Sequence, residues 1–218
     1  MGASVSLSPG RFVPTRKALL YAALILNGEL AVVLLYFAVA SSVATDPVVL
    51  AYPFVWINAS IWAAWRVDLP DAPPRQRLLA LGVALAYFLV LGGVGGLYMF
   101  HGADLGARVS WLSPGWGPAL LYSGAGFTVS LLPFKVIGYA TLAYLVAATV
   151  LDAAKTGAAG FLGLFACVSC TWPVAATVFT GAFGSASAVA SAAQNDPYGL
   201  STVVFVSSVL LLVWRPTR

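Results

Sequence analysis

The sequence predicts an all-α integral membrane protein, a helical bundle of six transmembrane helices with both termini in the cytoplasm. Of its 218 residues, 61% are hydrophobic and only 8% are charged, and the mean hydropathy is +0.92. Because an average soluble domain carries about 25% charged residues, lipid rather than water must surround most of this chain. The apolar runs are separated by short connections, which predicts a single transmembrane domain over residues 18–214.

The elements follow from the apolar runs in chain order. Residues 1–17 are polar and hold two prolines and three basic residues, which predicts a disordered cytoplasmic tail. A membrane-crossing helix needs about 20 predominantly apolar residues. The predicted spans are residues 18–44, 48–65, 78–100, 134–154, 157–184 and 200–214. The first run is too long for the apolar region of a cleaved secretory signal, which is about 7–15 residues.

One apolar segment, between the third and fourth spans, is too short to cross a bilayer. Residues 118–132 follow a loop rich in glycine and tryptophan and end at Pro133. Their length favours a short re-entrant or interfacial segment within the outer loop. In and around this loop, Trp111, Trp116 and Tyr198 are residues of the type that anchors a protein at the membrane–water interface.

The basic residues are divided unequally between the two predicted sides of the membrane. Only Arg108 and Lys135 lie outside, and Lys135 is expected to extend to the lipid headgroups. The cytoplasmic side holds Arg11, Arg16, Lys17, Arg66, Arg75, Arg77, Lys155, Arg215 and Arg218. This positive-inside pattern predicts the orientation of the bundle. It also accounts for the net charge of +4, so the expected partner is the lipid bilayer and not a nucleic acid.

The only two cysteines, Cys167 and Cys170, lie three residues apart in the predicted fifth span, with Pro173 after them. This spacing places both sulfurs on one face of a helix. Soft thiolates select Cu(I) and similar ions, and the same pair can cycle between dithiol and disulfide. Pro173 cannot donate to the carbonyl of Ser169, and opened backbone is typical of binding sites in membranes. We therefore predict a site for a soft metal ion, with copper as the candidate, or for thiol redox equivalents.

A purely structural interpretation of the same residues is the alternative. Cysteine in a membrane helix packs as a small apolar side chain, and proline kinks are ordinary there. Apolar surroundings also disfavour the thiolate form that metal binding requires. The sequence therefore leaves two hypotheses for Cys167 and Cys170, a chemical one and a packing one.

Glu29 lies near the middle of the predicted first span. A charged side chain at that depth costs about 2.5–3.5 kcal/mol on insertion scales. Asn27 and Asn58 are its candidate partners, because amides in lipid also need hydrogen bonds. Glu29 is accordingly either a proton or ion partner within the bundle, or a neutral carboxylic acid that joins neighbouring helices.

Several catalytic motifs are absent from the sequence. It contains no G-x-x-x-x-G-K-[ST] and no H-E-x-x-H, and its single histidine, His101, cannot supply paired haem ligands. Whether the chain is an enzyme is left open. The lack of a nucleotide motif fits an alternative function, a non-catalytic membrane subunit of a transporter or respiratory complex, whose energy comes from a partner such as an ATPase.

The stretch F-A-C-V-S-C-T-W-P resembles a segment of uncharacterised small polytopic membrane proteins of archaea, especially haloarchaea, which are associated with copper-dependent respiratory genes. It is more faintly similar to membrane thiol carriers of the mercury-transport and cytochrome-biogenesis kind. Those carriers also place cysteine and proline in a span, but this chain lacks a second cysteine pair to receive an ion or electron. The resemblance implies that Cys167 and Cys170 are the functional positions.

Overall fold

The computed structural model describes residues 16–39, 46–100, 105–155 and 197–214. The predicted fifth span, residues 157–184, lies outside these ranges, as does all of the predicted tail except its last two residues. The chain divides into two compact units, Met1–Ser41 and Ser42–Arg218, each of which is described by itself.

The first unit contains helix α1, which covers Arg16–Val39. Its 24 residues span about 36 Å at 1.5 Å per residue, more than the roughly 30 Å hydrocarbon core of a bilayer. Leu19–Val39 is long and apolar enough to cross a membrane, and no residue in its most apolar 18-residue stretch is buried. The helix starts two residues before the predicted first span, 18–44, and the end of that span lies outside the described residues.

The described residues of the second unit form four helices. Each begins at a proline, whose fixed φ suits the first helical position. The N–H that proline lacks would have no partner within the helix at this position. They are α2 (Pro47–Arg66), α3 (Pro74–Val94), α4 (Pro133–Lys155) and α5 (Pro197–Val213). Within this unit α2, α3 and α4 are long and apolar enough to cross a membrane, whereas α5 is shorter.

Helices α2 and α4 agree with their predicted spans to within one residue at each end. The prediction of residues 78–100 is less accurate, because α3 begins at Pro74 and ends at Val94. Gly96 has a positive φ of 77°, which turns the chain out of the helix direction. The last residues of that predicted span therefore leave the helix and enter a strand.

A four-stranded antiparallel sheet follows α3, so the all-α prediction is wrong for this part of the chain. The strand order is β1-β4-β3-β2. The strands are β1 (Tyr98–Met99), β2 (Gly106–Ser110), β3 (Ala119–Gly124) and β4 (Phe127–Leu131). Residues 118–132, predicted as a re-entrant or interfacial segment, are a hairpin of β3 and β4.

The hairpin has a local cause in the sequence. Residues 127–131, F-T-V-S-L, alternate apolar and polar side chains, which is the period of a strand. A two-residue turn joins β3 to β4, since Gly124 pairs with Phe127. Gly126 in that turn has a φ of +97°, a backbone conformation that glycine adopts readily and residues with a Cβ rarely adopt. Length and hydropathy alone do not contain this information.

Helix α4 is central to the second unit and packs against α2, α3 and α5. The close contact between α4 and α2 depends on Gly138, because a Cβ at this position would collide with the indole ring of Trp56. Trp56 in turn stacks on Phe205 of α5, with ring centroids 4.0 Å apart. Aromatic rings of α2 and α5 therefore pack together against α4 in the core of this unit.

Candidate functional site

The predicted thiol site lies outside the described residues. Cys167, Cys170 and Pro173 belong to the range 156–196, and His101 lies in residues 101–104. Within the described ranges, no three His, Cys, Asp or Glu side chains are grouped as a metal ion would require. The proposed thiol chemistry therefore stays a prediction from the sequence.

The predicted polar group around Glu29 is distributed over both units. Asn27 Nδ2 donates to the carbonyl of Ala23 at 2.8 Å, one turn back in α1. Glu29 is half-buried in the same helix, and Asn58 is half-buried in α2. Because α1 and α2 belong to different units, the pairing of Glu29 with Asn58 also stays a prediction.

The described residues do bring together a set of rings, here called the aromatic cluster, in the first halves of α2, α4 and α5. Its members come from three helices and from the connection between β2 and β3. They are Trp56, Trp116, Phe134, Tyr139, Tyr198 and Phe205. Edge-to-face and offset ring pairs of this kind contribute about 0.5–1.5 kcal/mol each beyond the burial of their surface.

Trp56 is the centre of this cluster. Its ring meets Phe134 edge to face at 5.5 Å and Tyr139 at 5.7 Å between centroids. Its Nε1–H donates to Thr202 Oγ1 of α5 at 2.9 Å, a bond between buried side chains 146 residues apart. A buried indole N–H needs an acceptor, so Thr202 fixes the position of α5 against α2.

Trp116 is a second structural ring, whereas the sequence predicts an interface anchor at this position. It is only 8% exposed, and its Nε1–H donates to the carbonyl of Val49 at 2.9 Å. Its ring contacts Phe134 at 5.0 Å and Tyr198 at 4.5 Å between centroids. Trp116 therefore fastens the β2–β3 connection to the first turns of α2, α4 and α5.

Lys135 adds a cation to the edge of the cluster. Its Nζ donates to the carbonyl of Gly95 at 2.9 Å and lies 5.7 Å from the ring centroid of Tyr198. The expected extension to headgroups is thus replaced by a bond to the C-terminal end of α3, where a cation complements the helix dipole. Tyr139 Oη packs so closely on Gly95 that a Cβ there would collide with it.

Two open clefts lie elsewhere on the second unit. One, of about 520 Å³, is lined by Trp62 and Arg66 at the end of α2 and by Leu210, Leu211, Val213 and Trp214 around the end of α5. The other, of about 380 Å³, lies on the sheet and is lined in part by Arg108, Ser123 and Ser130. A guanidinium in either cleft is suited to paired hydrogen bonds with a phosphate or carboxylate.

Fold and site together define a predominantly helical protein, whose described residues include four membrane-length helices, an aromatic cluster and a small antiparallel sheet. The sequence matches a family of unknown function, DUF7546, over residues 3–218. The chain belongs to that family. Neither the curated proteins nor the solved structures contain a match to this chain.

Proposed function

We propose that this chain is a multi-pass protein of the cell membrane. Four of its helices have the length and hydropathy of spans, with mean hydropathy between 1.4 and 2.1. Their outward surfaces carry large apolar side chains, such as Leu79 and Leu81 on α3 and Ile61 on α2. Water would disfavour such surfaces, whereas acyl chains would cover them at no cost.

Within the proposed six-span topology, the cytoplasmic termini rest on the distribution of basic residues, and contacts of the second unit support a crossing between α4 and α5. Trp116 links the starts of α2, α4 and α5, and Lys135 links the end of α3 to the same level. Helix α4 leads away from this level, and α5 begins at it. If these helices cross a bilayer, the chain between them has to return across it once. The predicted fifth span, residues 157–184, would make that crossing.

Within this membrane protein, Cys167 and Cys170 would handle a soft metal ion, with copper as the candidate cargo, or thiol redox equivalents. The observation that carries the proposal is the C-x-x-C spacing in an apolar stretch, followed by Pro173. The resemblance to haloarchaeal membrane proteins supports the same chemistry. Glu29 would act as the proton or ion partner, with Asn27 and Asn58 as the polar groups that accompany it.

A Cu(I) titration of the purified protein tests the metal form of this proposal. Stoichiometric Cu(I) retained against a competing chelator is expected for the natural sequence, and loss of retention is expected for Cys167→Ser and Cys170→Ser. Ser169→Ala, which alters the same segment but keeps both sulfurs, is the matched control. Unchanged copper stoichiometry in the double serine variant would remove the metal form.

The redox form is tested on the same proteins by thiol alkylation. Full alkylation is expected after reduction, and protection of both cysteines from alkylation is expected after oxidation. The redox form requires a disulfide between Cys167 and Cys170, so protection from alkylation should be lost when either cysteine is replaced by serine. Two thiols that stay reactive after treatment with a disulfide donor would exclude the redox form.

A second candidate is a non-catalytic membrane subunit that works with a transporter ATPase or a respiratory complex. The observation in its favour is α1, which forms a unit of its own and has no buried residue in its most apolar 18-residue stretch. A helix of this kind is suited to contact either lipid or the span of another protein. Stoichiometric co-purification of a partner, with the double serine variant fully active, would favour this candidate over the first.

A further inference from the structure

We propose that the four-stranded sheet is a membrane-binding element, whose apolar face lies in the lipid at the headgroup boundary. This inference rests on the proposed membrane placement of the helices. The bilayer itself covers this face, near the start of α2 and the end of α3.

The strand register separates apolar from polar side chains. Residues paired across an antiparallel sheet point to the same face. One face, here called the apolar face, holds Tyr98, Ala107, Val109, Leu120, Tyr122, Phe127, Val129 and Leu131. The other, the polar face, holds Arg108, Ser110, Ser123, Thr128 and Ser130, together with Met99, Gly106, Ala119 and Leu121.

The apolar face is open to the surroundings of the chain. Val109 is 55% exposed, Leu120 47% and Tyr122 46%, and these three lie on adjacent strands. Contiguous exposed apolar patches of this kind mark interaction or membrane surfaces. An aromatic residue among them, Tyr122, is a type enriched at the membrane–water interface.

The chain just before β3 and just after β4 lies beside α2 and not beyond its end. Gly115 of the β2–β3 connection contacts Pro53, and Trp116 bonds the carbonyl of Val49. Phe134, directly after the sheet, contacts Trp56. Trp56 is nine residues into α2, about 13 Å along its axis at 1.5 Å per residue. A bilayer that encloses α2 therefore also reaches the edge of the sheet at which β3 begins and β4 ends.

The apolar face is continuous with the surface of α3. Tyr98 Oη donates to the carbonyl of Leu89 at 2.6 Å, and its ring lies against Gly93. Phe100 continues this surface, with its ring centroid 6.0 Å from Tyr98 and 6.3 Å from Phe127. Lipid that covers the exposed side chains of Leu89 and Val90 would meet the apolar face without an interruption.

The polar face completes the amphipathic arrangement. Arg108 and the hydroxyl residues Ser123, Thr128 and Ser130 line the cleft of about 380 Å³ on this side. Groups of this type are suited to contact with water or headgroups and not with acyl chains. With the apolar face in lipid, the cleft faces away from the acyl chains, so both faces of the sheet are matched to their surroundings.

Spin labels at adjacent positions of opposite faces test the proposal on the full chain in phosphatidylcholine vesicles. Each label is attached to a single cysteine in a Cys167→Ser, Cys170→Ser background. Val109→Cys and Leu120→Cys report the apolar face, whereas the matched controls Arg108→Cys and Ser123→Cys report the polar face. Val90→Cys on α3 reports whether the helices are in the membrane at all.

Collisions with oxygen, which partitions into lipid, are compared with collisions with a water-soluble nickel complex. For labels at Val109 and Leu120 we expect most nickel collisions to be lost while oxygen collisions stay frequent, at a depth of roughly 5–10 Å below the headgroups. For labels at Arg108 and Ser123 we expect frequent nickel collisions. Two independent strand positions keep the test decisive if one variant does not fold.

Three results would overturn the inference, each in a distinguishable way. Nickel-accessible labels at Val109 and Leu120 with a lipid-exposed label at Val90 would place the sheet in water and leave the membrane placement intact. Nickel accessibility at Val90 as well would overturn the membrane placement too. Shielding of Val109 and Leu120 from both reagents, with dipolar broadening between chains, would show that a second copy covers the face.

Discussion

The hydrogen bond between Trp56 and Thr202 can be tested by a single isosteric substitution. Thr202→Val keeps the shape of the side chain but removes the acceptor 2.9 Å from the indole Nε1–H. Trp56 is only 4% exposed and is enclosed by Phe134, Tyr139 and Phe205, so water cannot replace the lost partner. The variant therefore leaves a buried donor unsatisfied.

Two reference values bound the magnitude. A buried donor without a partner costs about 1–3 kcal/mol in soluble proteins. Hydrogen bonds between membrane helices average only about 0.6 kcal/mol, with a maximum near 1.7, because the unfolded chain in the membrane also finds partners. Since Trp56 is buried among protein side chains and not in lipid, we expect Thr202→Val to lower the free energy of unfolding by about 1 kcal/mol.

A double-mutant cycle isolates this bond from packing. Trp56→Phe removes the donor, so Thr202→Val should cost little in that background, and the coupling energy should equal most of the single-variant loss. Thr202→Ser, which keeps a hydroxyl, is the control and should retain most of the stability. The measurement is unfolding by a denaturing detergent in mixed micelles, followed by circular dichroism. Equal costs of Thr202→Val in both backgrounds would refute the reasoning.

Three further predictions concern packing and polar contacts. Gly138→Ala should lower the free energy of unfolding by about 1–3 kcal/mol, because its Cβ would collide with Trp56. Gly82→Ala, with open space around the new Cβ, should be neutral or stabilising, and thermal unfolding of the two variants tests the difference. Ser60→Ala should raise stability by about 1 kcal/mol in chemical unfolding, because Ser60 Oγ is buried without a partner in the described structure; an unchanged midpoint would contradict this. Lys135→Met should increase amide exchange at the end of α3, where Lys135→Arg retains a donor and serves as control.

The helices could be predicted from the sequence because their signal is local. A run of apolar residues of bilayer length, bounded by prolines and charges, defines α2 and α4 with little error. The displacement of α3 has a local cause as well, since Gly96 turns the chain before the apolar run is finished. Hydropathy records where apolar residues lie but not where the backbone changes direction.

The length of the apolar run and the period of its side chains point to different structures in the sheet region. Residues 118–132 are apolar and too short to cross, which suggests a helical re-entrant or an interfacial segment. The alternation in residues 127–131 and the glycine at position 126 predict a hairpin, and they were available in the sequence. The pairing of β4 with β1, by contrast, joins residues about thirty positions apart and could not be read from local pattern.

The aromatic cluster could not be predicted, because nothing in the sequence links its members. Trp56 and Thr202 are separated by 146 positions and meet only after α2 and α5 pack together. Trp116 lies in a loop of a composition typical of interface anchors, and its burial depends on the path of the β2–β3 connection along α2. Tertiary packing gives Trp116 a structural role at a position where the sequence predicts an interface anchor.

The same contacts bear on the proposed thiol chemistry, because the predicted cysteine span is the link between α4 and α5. Lys135 and Tyr139 fix α4 against the end of α3, and Thr202 fixes α5 to Trp56 of α2. The two helices before and after the segment of Cys167 and Cys170 are therefore fixed in place by contacts of the aromatic cluster. A thiol pair that binds an ion needs its two sulfurs held at a fixed separation, and helices anchored on both sides would reduce the conformational entropy lost on binding. On this argument, Thr202→Val should weaken Cu(I) retention as well as stability, although it changes no sulfur.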